Sequence, residues 1–161
     1  MKQTNVQTLL LRLVLGALFL HLGIEKIYDG WLTSDKDLLD SLFNYHQRAG
    51  LTQLVYLDNV AVPYAYLWAK LIAIGETSIG VSLLLGLLTR YTCCVGIFMV
   101  LNFHAANGNL YSLNFFGSPW AALIIASFVI LFMAKAGKYV GLDAKLGKKN
   151  SKKSSANKKT D

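Results

Sequence analysis

The chain has 161 residues, enough for one domain. Hydrophobic residues make up 54% and charged residues 16%, which excludes a disordered, highly charged chain and points to the membrane class. Of the net charge of +7, the C-terminal tail carries +6: residues 145–161 hold seven of the sixteen basic residues and one of the nine acidic ones, leaving +1 on the rest, so a basic nucleic-acid-binding body is excluded.

The first apolar run, about residues 6–28, is long enough for a membrane helix, which needs roughly 20 apolar residues. It is too long for a signal peptide and is followed by no small-residue cleavage site, so it is expected to be retained. Its HLGIEK stretch carries His21, Glu25 and Lys26, and helical spacing puts His21, Glu25, Tyr28 and Asp29 on one face. Arg12 lies on the opposite side, near the inner end, where its long stem is expected to snorkel to the interface. The segment from 30 to 62 then reads as an outer loop containing a short amphipathic helix. Ser34 is its expected cap and Gly50 its end, with Leu38, Leu39, Leu42 and Phe43 as the apolar stripe.

Three further spans follow, at about 63–88, 91–108 and 119–136, two of them opened by Pro63 and Pro119. Gly75, Ser78, Ser82 and Gly86 form a stripe of small residues on which another helix is expected to pack. Lys2, Arg12, Arg90 and the lysine tail mark one side of the membrane, and 109–118 carries no charge. The positive-inside rule therefore puts both termini in the cytoplasm. Trp31, Trp68, Tyr111 and Trp120 fall near the outer boundary. The adjacent Cys93 and Cys94 read as small buried side chains, since no disulfide framework or zinc pattern includes them. The tail, KLGKKNSKKSSANKKTD, has little to bury and is expected to be a disordered, solvated cytoplasmic end. The expected architecture is an all-α membrane protein: a four-helix bundle over 1–144 with an amphipathic helix in the first outer loop.

An ionisable side chain at the bilayer centre costs about 2.5–3.5 kcal/mol on insertion scales. His21, Glu25, Lys26, Lys70, Asn102 and His104 all fall in the outer half of their spans, with Glu76 at its inner edge. They are therefore expected to converge on the bundle interior. Two readings stay open there. One is internal ion pairing, such as Glu25 with Lys70 and Glu76 with His104, that fixes the packing. The other is a polar pocket in which Glu76, Glu25 and His104 move protons while His21, Lys26, Lys70 and Asn102 bind a polar head group. His46, beside Gln47 and Arg48, reads as solvated. The sequence has no GxGxxG, Walker, CxxC, CxxCH or HExxH motif, so nucleotide, haem c and zinc-protease readings have no support and no flavin, metal or haem motif is seen. A haem b between the histidines of the first and third spans stays open, with no spacing that argues for it.

Three blocks carry a resemblance: LRLVLGALFLHLGIEKIYDGW, WAKLIAIGETSIGVSLLLGLLTR and AGKYVGLDAKL, together with LNFHAANG. On these the chain resembles the DoxX-like membrane proteins, especially the DoxD type, the small subunit of thiosulfate:quinone oxidoreductase. The resemblance implies a four-helix membrane bundle in a bacterial or archaeal plasma membrane. It also implies an oxidoreductase subunit with a quinone acceptor, a sulfur-compound donor and a second membrane subunit or homo-oligomer as partner. The alternative is a non-catalytic accessory subunit of a larger membrane complex. Membrane lipid is the expected surrounding in either case, and no nucleic acid is expected.

Overall fold

A computed structural model describes residues 2–111, 119–134 and 141–143, with side chains from residue 6 onward. The lysine tail expected to be disordered lies outside these residues. Six α-helices account for the regular structure, and no strand occurs among the described residues: α1 Lys2–Tyr28, α2 Lys36–His46, α3 Leu51–Tyr56, α4 Ala65–Leu85, α5 Thr89–Ala106 and α6 Pro119–Met133. A π-helical turn, Leu57–Ala61, links α3 to the bend before α4. Helices α1 and α4 are each long and apolar enough to cross a membrane, and α6 is a shorter apolar helix.

Helices α1, α4, α5 and α6 pack in a ring, each against the next, with α1 also touching α6. Their interior is filled by Leu15, Phe19, Ile79, Leu83, Cys93, Val100, Phe128 and Leu131. Phe19 and Phe128 meet edge to face at 5.3 Å between ring centres, a favoured aromatic geometry. Leu10, Val14, Leu67, Phe98 and Leu123 point outward and stay exposed. This outward apolar surface is the inverse of a soluble bundle, and it suits lipid rather than water.

The tightest seam runs between α1 and α4. A Cβ on Gly23 would lie 2.4 Å from the backbone nitrogen of Thr77, and one on Gly80 would lie 2.4 Å from that of Leu20. Gly16 is looser: a Cβ there would meet the side chains of Leu83 and Leu84 at 3.1 Å. The pairings 16 with 84, 20 with 80 and 23 with 77 show antiparallel helices, in backbone contact at Gly23 and Gly80, which only glycine allows. The stripe expected on α4 does not make this seam. Gly75 instead faces Met99 of α5, Ser82 bonds the Leu87 carbonyl and the Thr92 hydroxyl, and Gly86 ends the helix.

Gly86 adopts φ +64°, and the amides of Gly86 and Leu87 bond back to Leu83 and Ser82. This is a left-handed C-terminal cap that favours glycine. Helix α5 begins three residues later. The carboxylate of Asp143 accepts hydrogen bonds from the amides of Leu88 (2.8 Å) and Thr89 (3.1 Å) and from the Thr89 hydroxyl (3.1 Å). In turn, the Asp143 amide donates to the Gly86 carbonyl at 3.0 Å. A carboxylate at this position satisfies amides that the helix cannot and complements the helix dipole. Arg12 closes the knot from the other side. It is 2% exposed, lies against Gly86 and Gly141, and feels the charge of Asp143. The expected snorkelling is thus corrected, because Arg12 is held inside by this acidic cap.

At the other end, α2 and α3 lie across the bundle. Leu38 and Leu42 are buried with Leu57, Ala61, Ala65, Ala69 and Ala106. Phe43, expected in the same stripe, is exposed. Asp35 rather than Ser34 is the residue before α2, although the Ser34 hydroxyl still accepts from the Lys36 amide at 3.2 Å. The expected single helix to Gly50 stops at His46, and Gly50 instead precedes α3 in extended conformation. Pro63 sits in the turn before α4 rather than opening it, whereas Pro119 does open α6. Cys93 is buried as expected, but Cys94 is exposed.

Candidate functional site

The antiparallel seam decides what the charged residues meet. With Gly23 seated on Thr77, Lys26 lies one turn further along α1, beside Glu76 of α4. The Lys26 ammonium donates to the Glu76 carboxylate at 2.7 Å. Glu76 is 4% exposed, while Lys26 keeps partial contact with the surface and lies 5.5 Å from the Trp31 ring. An ion pair so deeply placed holds only if both partners are present, since either charge alone would be stranded. The expected pairing of Glu76 with His104 and of Glu25 with Lys70 is therefore corrected: the seam's register gives Glu76 to Lys26. Lys70 rests on the Tyr66 ring at 3.9 Å, a cation–π contact.

Glu76 and His104 nevertheless share one cavity. A cleft of about 200 Å³ is lined by both, with Phe19 and Leu22 from α1, Met99, Val100 and Phe103 from α5, and Trp120, Ala121 and Ile124 from α6. Its walls are almost wholly apolar, with one carboxylate and one imidazole on the lining, the composition of a small-molecule site. Trp120, at the first turn of α6, is exposed. Met99 and Phe103 separate this cleft from a second, lipid-side groove of about 260 Å³ between α4 and α5, which runs past Gly75 to Asn102.

Asn102 belongs to that groove. Its side-chain oxygen accepts from the Tyr56 hydroxyl at 2.8 Å, tying α3 to α5. Burial raises the Tyr56 phenol above its ordinary value, and the bond to Asn102 only partly offsets this. Nearby, the buried Gln53 amide donates to the Ala106 carbonyl at 2.8 Å. His46 and Asp58 pair at 2.9 Å on the exposed face of the outer segment.

The structure thus brings together Lys26, Glu76 and His104. It does not bring His21 and Glu25 into the cleft. Both share a face of α1, as their spacing predicts, but both are exposed and neither lines the cleft, Glu25 reaching Glu76 only through its charge. The inward convergence expected for them is corrected: the glycines that seat α1 on α4 fix which face is buried, and His21 and Glu25 fall on the other. Residues that sequence reasoning missed are Tyr56 and Gln53, which anchor the outer segment, and Asp143, which caps α5 across 54 residues. Among the described residues no three His, Cys, Asp or Glu side chains gather as a metal site.

Among the described residues, fold and cleft define a helical protein with two apolar helices of membrane length and an apolar cleft that carries Glu76 and His104. The DoxX family model matches residues 7–106, a hundred of the 161 residues, and the chain belongs to the DoxX family of membrane proteins. No curated protein and no solved structure matches it.

Proposed function

We propose that this DoxX-family chain crosses a bacterial or archaeal plasma membrane four times, with both termini cytoplasmic, and serves as the membrane subunit of a quinone-linked oxidoreductase. The observation that carries this reading is the cleft in which Glu76 and His104 face the same apolar space. Its volume suits a quinone ring, and Trp120 at its exposed edge suits entry from the outer leaflet. Reduction of a quinone to its hydroquinone takes two electrons and two protons. His104 bonds one carbonyl oxygen and delivers a proton there. Glu76 serves the other, drawing its proton from the surface past Lys26. Glu25, His21 and Lys70 lie outside the cleft, and Asn102 lines the neighbouring groove, so their expected roles in head-group binding are secondary here. The electrons come from a donor oxidised on a partner subunit. The DoxD-type resemblance makes a sulfur compound such as thiosulfate the donor to test.

A second reading is favoured by one observation. The Lys26–Glu76 pair joins the two most closely packed helices, as the internal glue of an accessory subunit would.

Quinone content separates the two. The chain, purified into nanodiscs from native membranes, is expected to retain near-stoichiometric quinone by solvent extraction and chromatography. Glu76→Gln and His104→Leu should lower it more than tenfold while the protein stays monodisperse. Background quinone in the wild type, or an unchanged level in both variants, would sink the quinone reading. Loss of copurifying subunits in Glu76→Gln without loss of quinone would support the accessory role.

A further inference from the structure

The outward face of α1 has no partner in the bundle, and it is patterned. Leu10, Val14, Ala17, His21, Ile24 and Tyr28 are all exposed and follow one another at steps of four, three, four, three and four. Such steps are those of one helix face and fit the seam of two helices wound together. The outward Leu67, Leu71, Ile74, Ser78, Val81 and Leu85 of α4 follow the same steps, and what sets the α1 face apart is its polar break. The seam is apolar and includes the small Ala17, which permits close approach. It is broken at one place by His21, flanked by Glu25 one turn further on.

His21 lies seven residues before Tyr28, so its Cα is about 10 Å inside the outer end of the helix at 1.5 Å per residue. Glu25 lies about 4–5 Å inside by the same rise. A helix face turned toward lipid at this depth is a poor place for an imidazole and a carboxylate, and nothing on α4, α5 or α6 covers them. Their cost disappears if another helix presents matching polar groups at the same level.

We infer that α1 pairs in parallel with α1 of a second copy of this chain, about a two-fold axis along the membrane normal, with His21 and Glu25 at the centre of the polar stretch. The inference rests on α1 crossing the membrane, and it is independent of the quinone reading. A second copy is the occupant that fits best on two counts. It inserts with the same orientation, so its His21 and Glu25 arrive at the same depth without any adjustment. A two-fold interface is also self-complementary: each copy contributes one base and one acid, and the imidazole of one reaches the carboxylate of the other as well as its own neighbour four residues on. Lys26 of the buried Lys26–Glu76 pair lies about 100° round α1 from Glu25, whose charge acts on Glu76, and the pair itself stays covered by α4.

Disulfide cross-linking in native membranes tests it. Cys94, which is exposed on α5, is replaced by serine, and single cysteines are introduced by Ala17→Cys and Ile24→Cys on the seam and by Leu123→Cys on exposed α6. Mild oxidation should give a species of twice the 17.8 kDa chain at least tenfold more abundant for positions 17 and 24 than for 123. Adding His21→Leu and Glu25→Leu to Ala17→Cys should lower that yield several-fold. Equal yields at all three positions would overturn the proposal, as would a cross-linked product of any mass other than twice the chain. An undiminished yield after His21→Leu and Glu25→Leu would overturn the polar pairing at its centre. Quinone content of the same membranes, measured as above, stands or falls separately.

Discussion

The two ends of the bundle handle buried charge in opposite ways. At the end where α4 turns into α5, Arg12, Gly86, Thr89 and Asp143 close on one another. Asp143 alone accepts three hydrogen bonds, and the cleft of about 200 Å³ is nowhere near them. At the end where α2 and α3 lie across the helices, Lys26 and Glu76 also pair, but Glu76 keeps one side open to a cavity that His104 shares. One end uses its polar groups up in holding a turn. The other leaves polar groups facing space, which is what a site requires and a mere fastening does not.

The contrast is most directly challenged at Lys26. Lys26→Ala leaves Glu76 buried without its partner and should cost about 3–5 kcal/mol, read from denaturant titration of the purified protein in detergent. Replacing both residues, Lys26→Met with Glu76→Met, should recover all but about 1 kcal/mol of this while quinone content stays lost. Recovery of both stability and quinone would mean that the outer end is as purely structural as the inner one. Next in size is Gly80→Ala, whose methyl would collide with the Leu20 backbone. Overpacking of this kind costs about 1–3 kcal/mol. Because it shifts α1 against α4, it should also weaken the Lys26–Glu76 bond. A fully stable variant would show that the seam does not set that pairing. The smallest effect belongs to Thr89→Val, which removes one hydrogen bond to Asp143 and should cost about 1 kcal/mol, measured in the same titration. Quinone content should not change, and a change there would dissolve the distinction between the two ends.

Much of the fold was legible in the sequence because long apolar runs announce helices, two of which reach membrane length. The helices were expected at 6–28, 63–88, 91–108 and 119–136, and α1, α4, α5 and α6 occupy those regions with ends shifted by a few residues. The short α3 and the π-helical turn were not legible, since six residues of mixed polarity carry no usable period. At the site, spacing correctly grouped His21 with Glu25 but gave no direction for their face. That direction is set by Gly16, Gly23 and Gly80, and a glycine in a helix has no visible sign of whether it is a neighbour's seat. The stripe that did look like a seat, Gly75 to Gly86, is divided between α5 and a helix end. Glu76 and His104 were selected on depth alone, and depth was enough to place them near one cavity. The Lys26 partner was not, because it depends on the register between two helices distant in sequence. The family blocks GLLTR and GLD carried a resemblance without a reason; the capping of α5 by Asp143 beneath Gly86 supplies one.

The Lys26–Glu76 pair has a consequence for biosynthesis. Its partners are 50 residues apart in the chain, and at about 5–20 residues per second a ribosome needs roughly 3–10 s to make that stretch. During that interval α1 is complete, and its glycine face has nothing to sit on. Lys26 must wait near aqueous surroundings, at the membrane surface or within the insertion machinery, until α4 arrives with the carboxylate. The first helix made is therefore not the first helix settled: the Lys26–Glu76 bond forms only once α4 has followed α1 out of the ribosome.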